Sequence, residues 1–287
     1  MRPARRLDVR KTYKLYIGGA FPRSESGRSY PVVGSDGRVV ARPSRASRKD
    51  LRDAVRAARA AWRGWAEATA YHRGQVLYRV AELMEGRREQ FAEELERLGA
   101  ADPRGEVERS IDRWVWYAGW SDKVHHVVGT VNPVAGPYFN FTVPEPTGVV
   151  GIVAPEEPAL LGLVSRLAPA VVGGNTAVVL ASEGRPLPAV TLSEVLATSD
   201  VPPGVVNLLT GYRRELVPWL ASHMDVNALD LTGVPPELVP EVEAAAAANV
   251  KRLIRDRTPD FSSEAAQSPY AIVDFLEMKT VWHPMGA

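Results

Sequence analysis

Hydrophobic positions between residues 148 and 254 fall into short apolar runs that alternate with longer amphipathic stretches. The runs predict strands over 148–153, 176–180, 205–209, 228–231 and 251–254, and the stretches between them predict helices over 160–172, 187–198, 214–222 and 237–249. Strands that are apolar throughout are typical of a parallel sheet covered by helices on both faces. The pattern therefore predicts an α/β fold with a Rossmann-like parallel sheet, although a fold by itself assigns no ligand.

The region before this sheet is predicted to contain short strands and then helices. Short strands are predicted over 13–17 and 30–33. Ser47-Arg48-Lys49-Asp50 has the form of a capping box, and the apolar residues after it recur at three- and four-residue steps. A helix is therefore expected to begin there, and two more helices are predicted over 73–98 and 106–123.

Two further stretches show the two-residue period of strands. Residues 127–143 predict a long hairpin with Phe139, Phe141 and Val143 on one face. Residues 270–283 predict a last strand, protruding with the hairpin as a β element, on which Leu276, Met278 and Trp282 share a face. The segment 258–268 that precedes this strand is polar and predicts a loop.

Composition narrows the classes of function. The chain has 287 residues and a formal net charge of +1, so no overall field favours nucleic acid or an anionic membrane. Since no apolar run is long enough to span a membrane, we expect a cytoplasmic protein. The chain has no cysteine, which excludes thiolate metal sites and cysteine nucleophiles. Its histidines lack the spacing of metal ligands, so no metal site is expected.

Several motifs together resemble the aldehyde dehydrogenases. They are Tyr117-Ala118-Gly119, Gly136-Pro137-Tyr138-Phe139-Asn140, Glu145-Pro146-Thr147-Gly148-Val149-Val150-Gly151, Leu167-Ala168-Pro169-Ala170 with Gly174-Asn175-Thr176, and Val201-Pro202-Pro203-Gly204-Val205-Val206-Asn207. Their order and spacing match that family from about residue 16 to residue 253. The segment 275–282 also resembles the family's final strand.

In the family these two regions are separated by a catalytic domain, which carries the nucleophilic cysteine. The resemblance therefore implies a cofactor-domain-like α/β domain over 1–126 and 146–257, an oligomerisation hairpin and C-terminal strand over 127–145 and 268–287, and a linker over 258–267 in place of the catalytic domain. Without a cysteine there is no thiolate to attack an aldehyde. We expect this chain to be inactive by itself.

The catalytic positions that the resemblance implies have also changed. After Pro155 the family has a tryptophan and then an asparagine that stabilises the oxyanion, and here those positions hold Glu156 and Glu157. A carboxylate repels the charge that the asparagine should stabilise. Asp256 falls near the family's general base, and we interpret it as a degenerate catalytic position. An acid/base pair of Glu156 and Glu157 is disfavoured because neighbouring residues of an extended chain point apart.

The cofactor site that the resemblance implies is reduced to a vestige. Its remaining residues are Glu183, Thr232 and Gly233. Leu180 replaces the family's lysine, and Pro235-Pro236-Glu237 replaces the start of a helix whose N–H groups should bind pyrophosphate. Prolines have no N–H, and Glu237 adds negative charge. We expect no cofactor, with NAD or NADP as the alternative if the family's site survives.

The retained part resembles the family's oligomerisation element, which adds to the catalytic-domain sheet of a neighbouring subunit. Its candidate contact residues are Tyr138, Phe139, Phe141, Leu276, Met278 and Trp282. The expected partner is a full-length aldehyde dehydrogenase subunit in a hetero-oligomer, which this chain would stabilise or regulate. Two alternatives stay open: a self-assembling homo-oligomeric structural protein, and a residual nucleotide-binding oxidoreductase.

Overall fold

The computed structural model describes residues 11–255 and 260–286. The helices are α1 (Arg48–Glu67), α2 (Ala70–Glu85), α3 (Arg88–Arg97), α4 (Pro103–Trp120), α5 (Val124–Val128), α6 (Leu161–Val172), α7 (Leu187–Leu196), α8 (Arg213–Ser222), α9 (Val239–Ala247) and α10 (Tyr270–Val273). The strands are β1 (Val32–Val33), β2 (Val39–Ala41), β3 (Thr130–Asn132), β4 (Tyr138–Pro146), β5 (Val149–Val153), β6 (Thr176–Leu180), β7 (Val206–Leu209), β8 (Ala228–Asp230), β9 (Arg252–Ile254) and β10 (Leu276–Pro284). Short 3-10 turns cover Pro236–Leu238 and Glu264–Ala266.

The largest sheet is parallel and has the order β7-β6-β5-β8-β9. Every residue of β5, β6, β7 and β8 is buried, as the continuous apolar runs predict. Val150 and Ile152 of β5 belong to the core on the side of α6, and Val149 and Val153 belong to the core on the side of α1 and α8. The predicted Rossmann-like α/β fold is confirmed.

The helices before this sheet differ from the prediction in their boundaries. The capping box is confirmed: the N–H of Ser47 donates to the Asp50 carboxylate at 2.8 Å, and the N–H of Asp50 donates to the Ser47 hydroxyl at 3.3 Å. The prediction of a single helix over 73–98 is wrong, because α2 ends at Glu85 and α3 begins at Arg88. Both helices bury apolar residues in one core, so the spacing of apolar positions continues across the break.

Two predicted strands are also shorter than expected. Residues 13–17 do not form a regular strand, and only Tyr16 and Ile17 make isolated bridges, to Leu208 and Ala20. The strand predicted over 270–283 begins at Leu276, because residues 270–273 form the helical turn α10 and bury Ile272.

The predicted hairpin and the last strand lie together in a second, antiparallel sheet of order β10-β4-β3. Trp282 is opposite Asn140, and Val131 is opposite Phe141. The first residues of the predicted hairpin form the short helix α5 instead, and β3 begins at Thr130.

A buried arginine of α4 holds the segment that leads from β9 to β10. Arg113 is 2% exposed, and its guanidinium donates to the carbonyl oxygens of Phe261 at 2.9 Å and Ala266 at 3.1 Å and to the hydroxyl of Ser165 at 2.8 Å. Phe261 and Ala266 are themselves buried. The described part of the predicted linker is therefore packed against the domain.

No helix within residues 11–255 and 260–286 is long and apolar enough to cross a membrane.

Replacing Arg113 with methionine should loosen this segment. The change keeps an apolar stem in place of the arginine's aliphatic part but leaves two buried carbonyl oxygens without their donor, so the free energy of unfolding should fall by about 2–4 kcal/mol. Urea unfolding measures the loss, and hydrogen exchange should speed up in residues 261–268. Arg109→Met is the matched control, since Arg109 lies on the same helix and pairs with exposed Asp102. Equal losses in the two variants would contradict the anchoring role.

A second buried charge lies where the chain's first described residues meet α3 and α7. Glu94 is 5% exposed, accepts a hydrogen bond from the Thr191 hydroxyl at 2.8 Å, and lies 3.8 Å from the ammonium of Lys11. Its other oxygen has no hydrogen-bond partner. Burial raises the pKa of Glu94 to about 7, although Lys11 opposes the shift.

This shift sets a pH dependence of stability. Between about pH 4.5 and 7 the folded chain keeps a proton on Glu94 that the unfolded chain releases, so the contribution to stability is full below that window and is lost as the pH rises through it. Relative to Glu94→Gln, the wild-type free energy of unfolding should fall by about 1–3 kcal/mol from pH 4.5 to pH 8. Urea unfolding of both proteins at the two pH values measures this difference. A difference that is independent of pH would show that Glu94 is ionised throughout.

Candidate functional site

A cleft of about 1080 Å³ opens at the carboxyl end of the parallel sheet. The chain leaves β5 toward β6 on one side and pairs β5 with β8 on the other, so this edge is the topological switch point where such sheets bind ligands. The lining comes from the ends of β5, β6, β7 and β8 and from the segment at β1: Tyr30, Pro31, Val32, Val33, Pro155, Glu156, Glu183, Gly184, Tyr212, Arg213, Arg214, Glu215, Thr232, Gly233, Val234, Pro235 and Pro236.

The carboxylate of Glu156, which follows β5, binds the segment after β6. It accepts hydrogen bonds from the Ser182 hydroxyl at 2.5 Å and from the N–H groups of Glu183 at 2.9 Å and Gly184 at 3.1 Å. It also forms an ion pair with the guanidinium of Arg213 at 2.7 Å. Four donors from two segments are thus directed at a single side chain.

Glu183, the cofactor residue that the resemblance implies, is also engaged within the chain. Its carboxylate accepts a hydrogen bond at 2.9 Å from the N–H of Arg213, the first residue of α8. A carboxylate at a helix N-terminus satisfies a free N–H group and complements the helix dipole. Glu183 therefore stabilises the start of α8.

The other two vestigial residues have internal partners as well. The N–H and the hydroxyl of Thr232 both donate to Asp230, and the N–H of Gly233 donates to the carbonyl oxygen of Val153 at 2.8 Å. A Cβ at Gly233 would overlap the carbonyl of Ala154, so the close approach to the end of β5 requires glycine. These contacts give both residues a structural role.

The segment after Gly233 offers little to a phosphate. Pro235 and Pro236 precede a 3-10 turn, and the side chain of Glu237 pairs with Arg214 at 2.8 Å. Its own backbone N–H and Arg214 lower the pKa of Glu237, which keeps this carboxylate charged. Leu180, at the position of the family's lysine, is a buried residue of β6.

Of the degenerate catalytic positions, Glu157 lies within the described residues. Glu157 faces solvent with 66% of its side chain exposed and pairs with Arg185 at 2.7 Å. It contacts a smaller cavity that Thr232, Arg255 and Phe261 also line. Asp256 lies outside the described residues.

Two charged residues of this region were not identified from the sequence. Glu106 of α4 is buried and accepts hydrogen bonds from the N–H groups of Leu160 at 2.7 Å and Leu161 at 3.2 Å, so it occupies the N-terminus of α6. Burial raises the pKa of Glu106. Arg213 is 6% exposed at the N-terminus of α8, where a cation opposes the helix dipole. That unfavourable position was the one signal in the sequence.

These contacts show whether the cleft has free donors for the phosphates of the cofactor that the resemblance implies. The donors near Glu183 hold Glu156, those at Thr232 and Gly233 hold the ends of β5 and β8, and those of α6 hold Glu106. A dinucleotide phosphate would meet carboxylates in place of free N–H groups. The cleft as it stands does not fit a nicotinamide dinucleotide. The described residues also contain no group of histidines and carboxylates able to hold a metal ion.

The six candidate contact residues of the second sheet lie on its two faces. Leu276, Met278, Trp282 and Tyr138 share one face, and the rings of Tyr138 and Trp282 lie 5.8 Å apart. Phe139 and Phe141 lie on the other face with their rings 5.3 Å apart, as the alternation predicts. Leu276 is buried, whereas Trp282 is 58% exposed and Phe139 is 45% exposed. The sheet therefore presents apolar side chains on both faces.

Polar side chains fix the register of these strands. The amide of Asn132 donates to Asn140 at 2.6 Å and to the Thr142 hydroxyl at 2.9 Å, and Thr142 shares a hydrogen bond of 2.9 Å with Thr280. This row crosses all three strands. The exposed sheet is therefore tied together by its own side chains.

Comparisons with known proteins agree with the motifs and the fold. Residues 22–256 match the model of the aldehyde dehydrogenase family. Retinal dehydrogenase 2 of Homo sapiens is 33% identical over 282 residues, which cover 94% of this chain and 54% of that protein. Cytosolic 10-formyltetrahydrofolate dehydrogenase of Mus musculus is 32% identical over 262 residues, covering 87% of this chain and 28% of that protein.

Solved structures give the same result. The structure of PnpE from Pseudomonas sp. WBC-3 matches with a TM-score of 0.80 and 31% identity over 85% of this chain and 50% of that chain, and PnpE has also been solved in complex with nicotinamide adenine dinucleotide. This chain spans about half the length of PnpE and of retinal dehydrogenase 2. The matching model, the relatives and the shared fold show that the chain belongs to the aldehyde dehydrogenase family.

Proposed function

We propose that this chain is a non-catalytic member of its family that assembles with a full-length, NAD(P)-dependent aldehyde dehydrogenase and stabilises or regulates it. The observation that carries the proposal is the sheet β10-β4-β3, which has an open outer edge at β10 within the described residues and exposes apolar side chains. Edges of this kind bind a strand of another chain. In the resemblance above, the partner strand belongs to a neighbour's catalytic domain.

The prolines of β4 indicate how the open edge is arranged. Pro144 and Pro146 lie opposite Met278 and Leu276 and have no N–H to donate. An antiparallel ladder alternates between pairs that exchange hydrogen bonds and pairs that do not. The prolines therefore mark the pairs without hydrogen bonds, and the N–H of Met278 is directed to the outer edge of β10. A neighbouring strand would find a regular row of donors and acceptors there.

Exposed apolar area supports an interface at the same place. Val131 is 68% exposed and Trp282 is 58% exposed, and Phe139 and Met278 are each more than 40% exposed. Aromatic residues and methionine are enriched in the centres of protein interfaces. A sheet with apolar side chains on both faces and an unpaired edge is an aggregation hazard unless a partner covers it.

The cleft supports the non-catalytic part of the proposal. The chain has no cysteine, Glu157 holds the position of the oxyanion donor, and the donors for a dinucleotide have internal partners. Nucleophile, oxyanion stabilisation and cofactor binding are therefore all affected.

The purified chain should not transfer hydride. With NAD or NADP and a panel of aldehydes, the absorbance of reduced nicotinamide should stay at background, because no thiolate is present to form the intermediate that gives up hydride. A full-length aldehyde dehydrogenase in the same buffer is the control. Reduction at a rate proportional to the concentration of this chain would contradict the non-catalytic assignment and favour a residual oxidoreductase.

Substitution at the β10 edge tests the assembly. When the chain is co-expressed with a full-length aldehyde dehydrogenase of the same organism, native mass spectrometry should show a mixed complex. Met278→Pro removes the outward N–H and should abolish that complex while the circular dichroism of the parallel-sheet domain is unchanged. Met278→Thr keeps the N–H and is the matched control, for which the complex should persist.

Two results would count against this assembly. A wild-type chain that stays a monomer beside the full-length enzyme would show that the sheet has another role. A stable complex of this chain with itself, unaffected by the enzyme, would favour the self-assembling structural protein.

A further inference from the structure

The groups that donate to Glu156 form a compact set at one end of the cleft. Ser182, Glu183 and Gly184 follow β6, and Arg213 begins α8 after β7. Ser182 is 1% exposed and Arg213 is 6% exposed, so both are fixed parts of the wall. The side chain of Glu156, by contrast, is 44% exposed. Two of the four donors thus belong to buried residues, whereas the acceptor side chain is partly exposed to solvent.

Arg213 is held in place independently of Glu156. Its second terminal nitrogen donates to the carbonyl oxygen of Ala154, and its backbone N–H donates to the carboxylate of Glu183. Loss of Glu156 would therefore leave the guanidinium in the same wall with one terminal nitrogen unpaired. A buried guanidinium without its counter-charge attracts another anion strongly.

The same wall also contains hydrogen-bond donors that Glu156 does not bind. The hydroxyl of Tyr30 is buried and has no hydrogen-bond partner, although the residue lines the cleft beside Tyr212. The Nε of Arg213 is also buried without a partner. Burial, together with Glu183 and Glu156, raises the pKa of Tyr30, so its hydroxyl stays protonated and able to donate. An acceptor with several oxygens would use these groups better than a single carboxylate does.

We propose that this end of the cleft is an oxyanion site for a phosphate group, and that Glu156 occupies it as a tethered competitor. Backbone N–H groups in succession, a hydroxyl and an arginine are the donors that phosphate groups bind in proteins. Glu156 supplies the negative charge from within the chain, so the wild-type site is closed to phosphate. This inference concerns the cleft alone and does not depend on the partner proposed for the sheet.

Removing the tethered carboxylate should open the site. Glu156→Ala should bind inorganic phosphate at least about tenfold more tightly than the wild-type chain, measured by calorimetric titration at constant ionic strength. The amide resonances of Glu183 and Gly184 should shift on titration. Adenosine monophosphate and adenosine show whether the phosphate group belongs to an organic ligand. Tighter binding of the monophosphate than of phosphate indicates an organic monoester, and equal binding indicates free phosphate. Adenosine alone should not compete.

Two further variants test whether a gain in phosphate binding comes from the donors around Glu156 or only from removing a negative charge from the cleft. Glu215→Ala removes another carboxylate of the lining, one that pairs with Arg45 and does not touch the donors around Glu156. It should not gain phosphate binding. Glu156→Ala combined with Arg213→Gln should lose what Glu156→Ala gained.

Three results would overturn the proposal. They are a wild-type chain that binds phosphate as tightly as Glu156→Ala, an equal gain in Glu215→Ala, and a folded Glu156→Ala that shows no gain. If Glu156→Ala does not fold, Glu156→Ser replaces it, since it also removes the tethered carboxylate and is too short to occupy the site. Failure of Glu156→Ser to bind phosphate more tightly than wild type would then overturn the proposal.

Discussion

The side-chain amide of Asn175 is completely buried where the parallel sheet meets the three-stranded sheet. Its oxygen accepts a hydrogen bond from the N–H of Gly148 at 2.9 Å, and its nitrogen donates to the carbonyl oxygens of Ala170 at 2.9 Å and Phe275 at 3.0 Å. Thr147 donates to the same Phe275 oxygen through its hydroxyl at 2.9 Å. A buried amide is expensive to leave unpaired, so these segments keep their relative positions. Both sheets depend on this junction, because β4 passes directly into β5 and β10 begins directly after Phe275.

The junction also determines how the two candidate sites lie. The three-stranded sheet continues from the amino end of β5, and the cleft lies at the carboxyl ends of the same parallel strands. The two sites therefore occupy opposite edges of one sheet. Polar groups at the carboxyl edge have found partners within the chain, through Glu156, Glu183 and Glu106. The amino edge carries the three-stranded sheet, which exposes apolar side chains on both faces and has an open strand at β10 in the described residues, and the proposed function is assigned to it for that reason.

Local pattern predicted the parallel sheet well because its strands are short segments rich in apolar residues. Strand β6 covers the predicted residues 176–180, and all five of its residues are buried. The break at Gly86 was missed because α2 and α3 turn their apolar residues to the same core. Periodicity reports which residues face the core, and it is insensitive to a short turn between two helices that share a core.

The candidate sites also differ in how much of them could be predicted from the sequence. Alternation alone placed Phe139 with Phe141 and Met278 with Trp282, because the face of a strand is a local property. The contacts of Glu156 follow from the meeting of segments that are distant in sequence, so the sequence revealed the change of charge at this position but not its partner, Arg213. Glu106 and Arg113 are likewise distant from the segments they bind.

Arg213 connects the state of the cleft to the stability of the fold. A guanidinium that is 6% exposed requires a nearby negative charge, since desolvation of an unpaired cation costs several kcal/mol. Burial lowers the pKa of Arg213, and Glu156 and Glu183 oppose that shift. Because both carboxylates belong to the chain, the ends of β5, β6 and β7 are held together without a ligand. A fold whose charges are balanced internally can lose an anionic ligand without losing its core. The parallel sheet that carries the three-stranded sheet is therefore held by charges that belong to the chain itself.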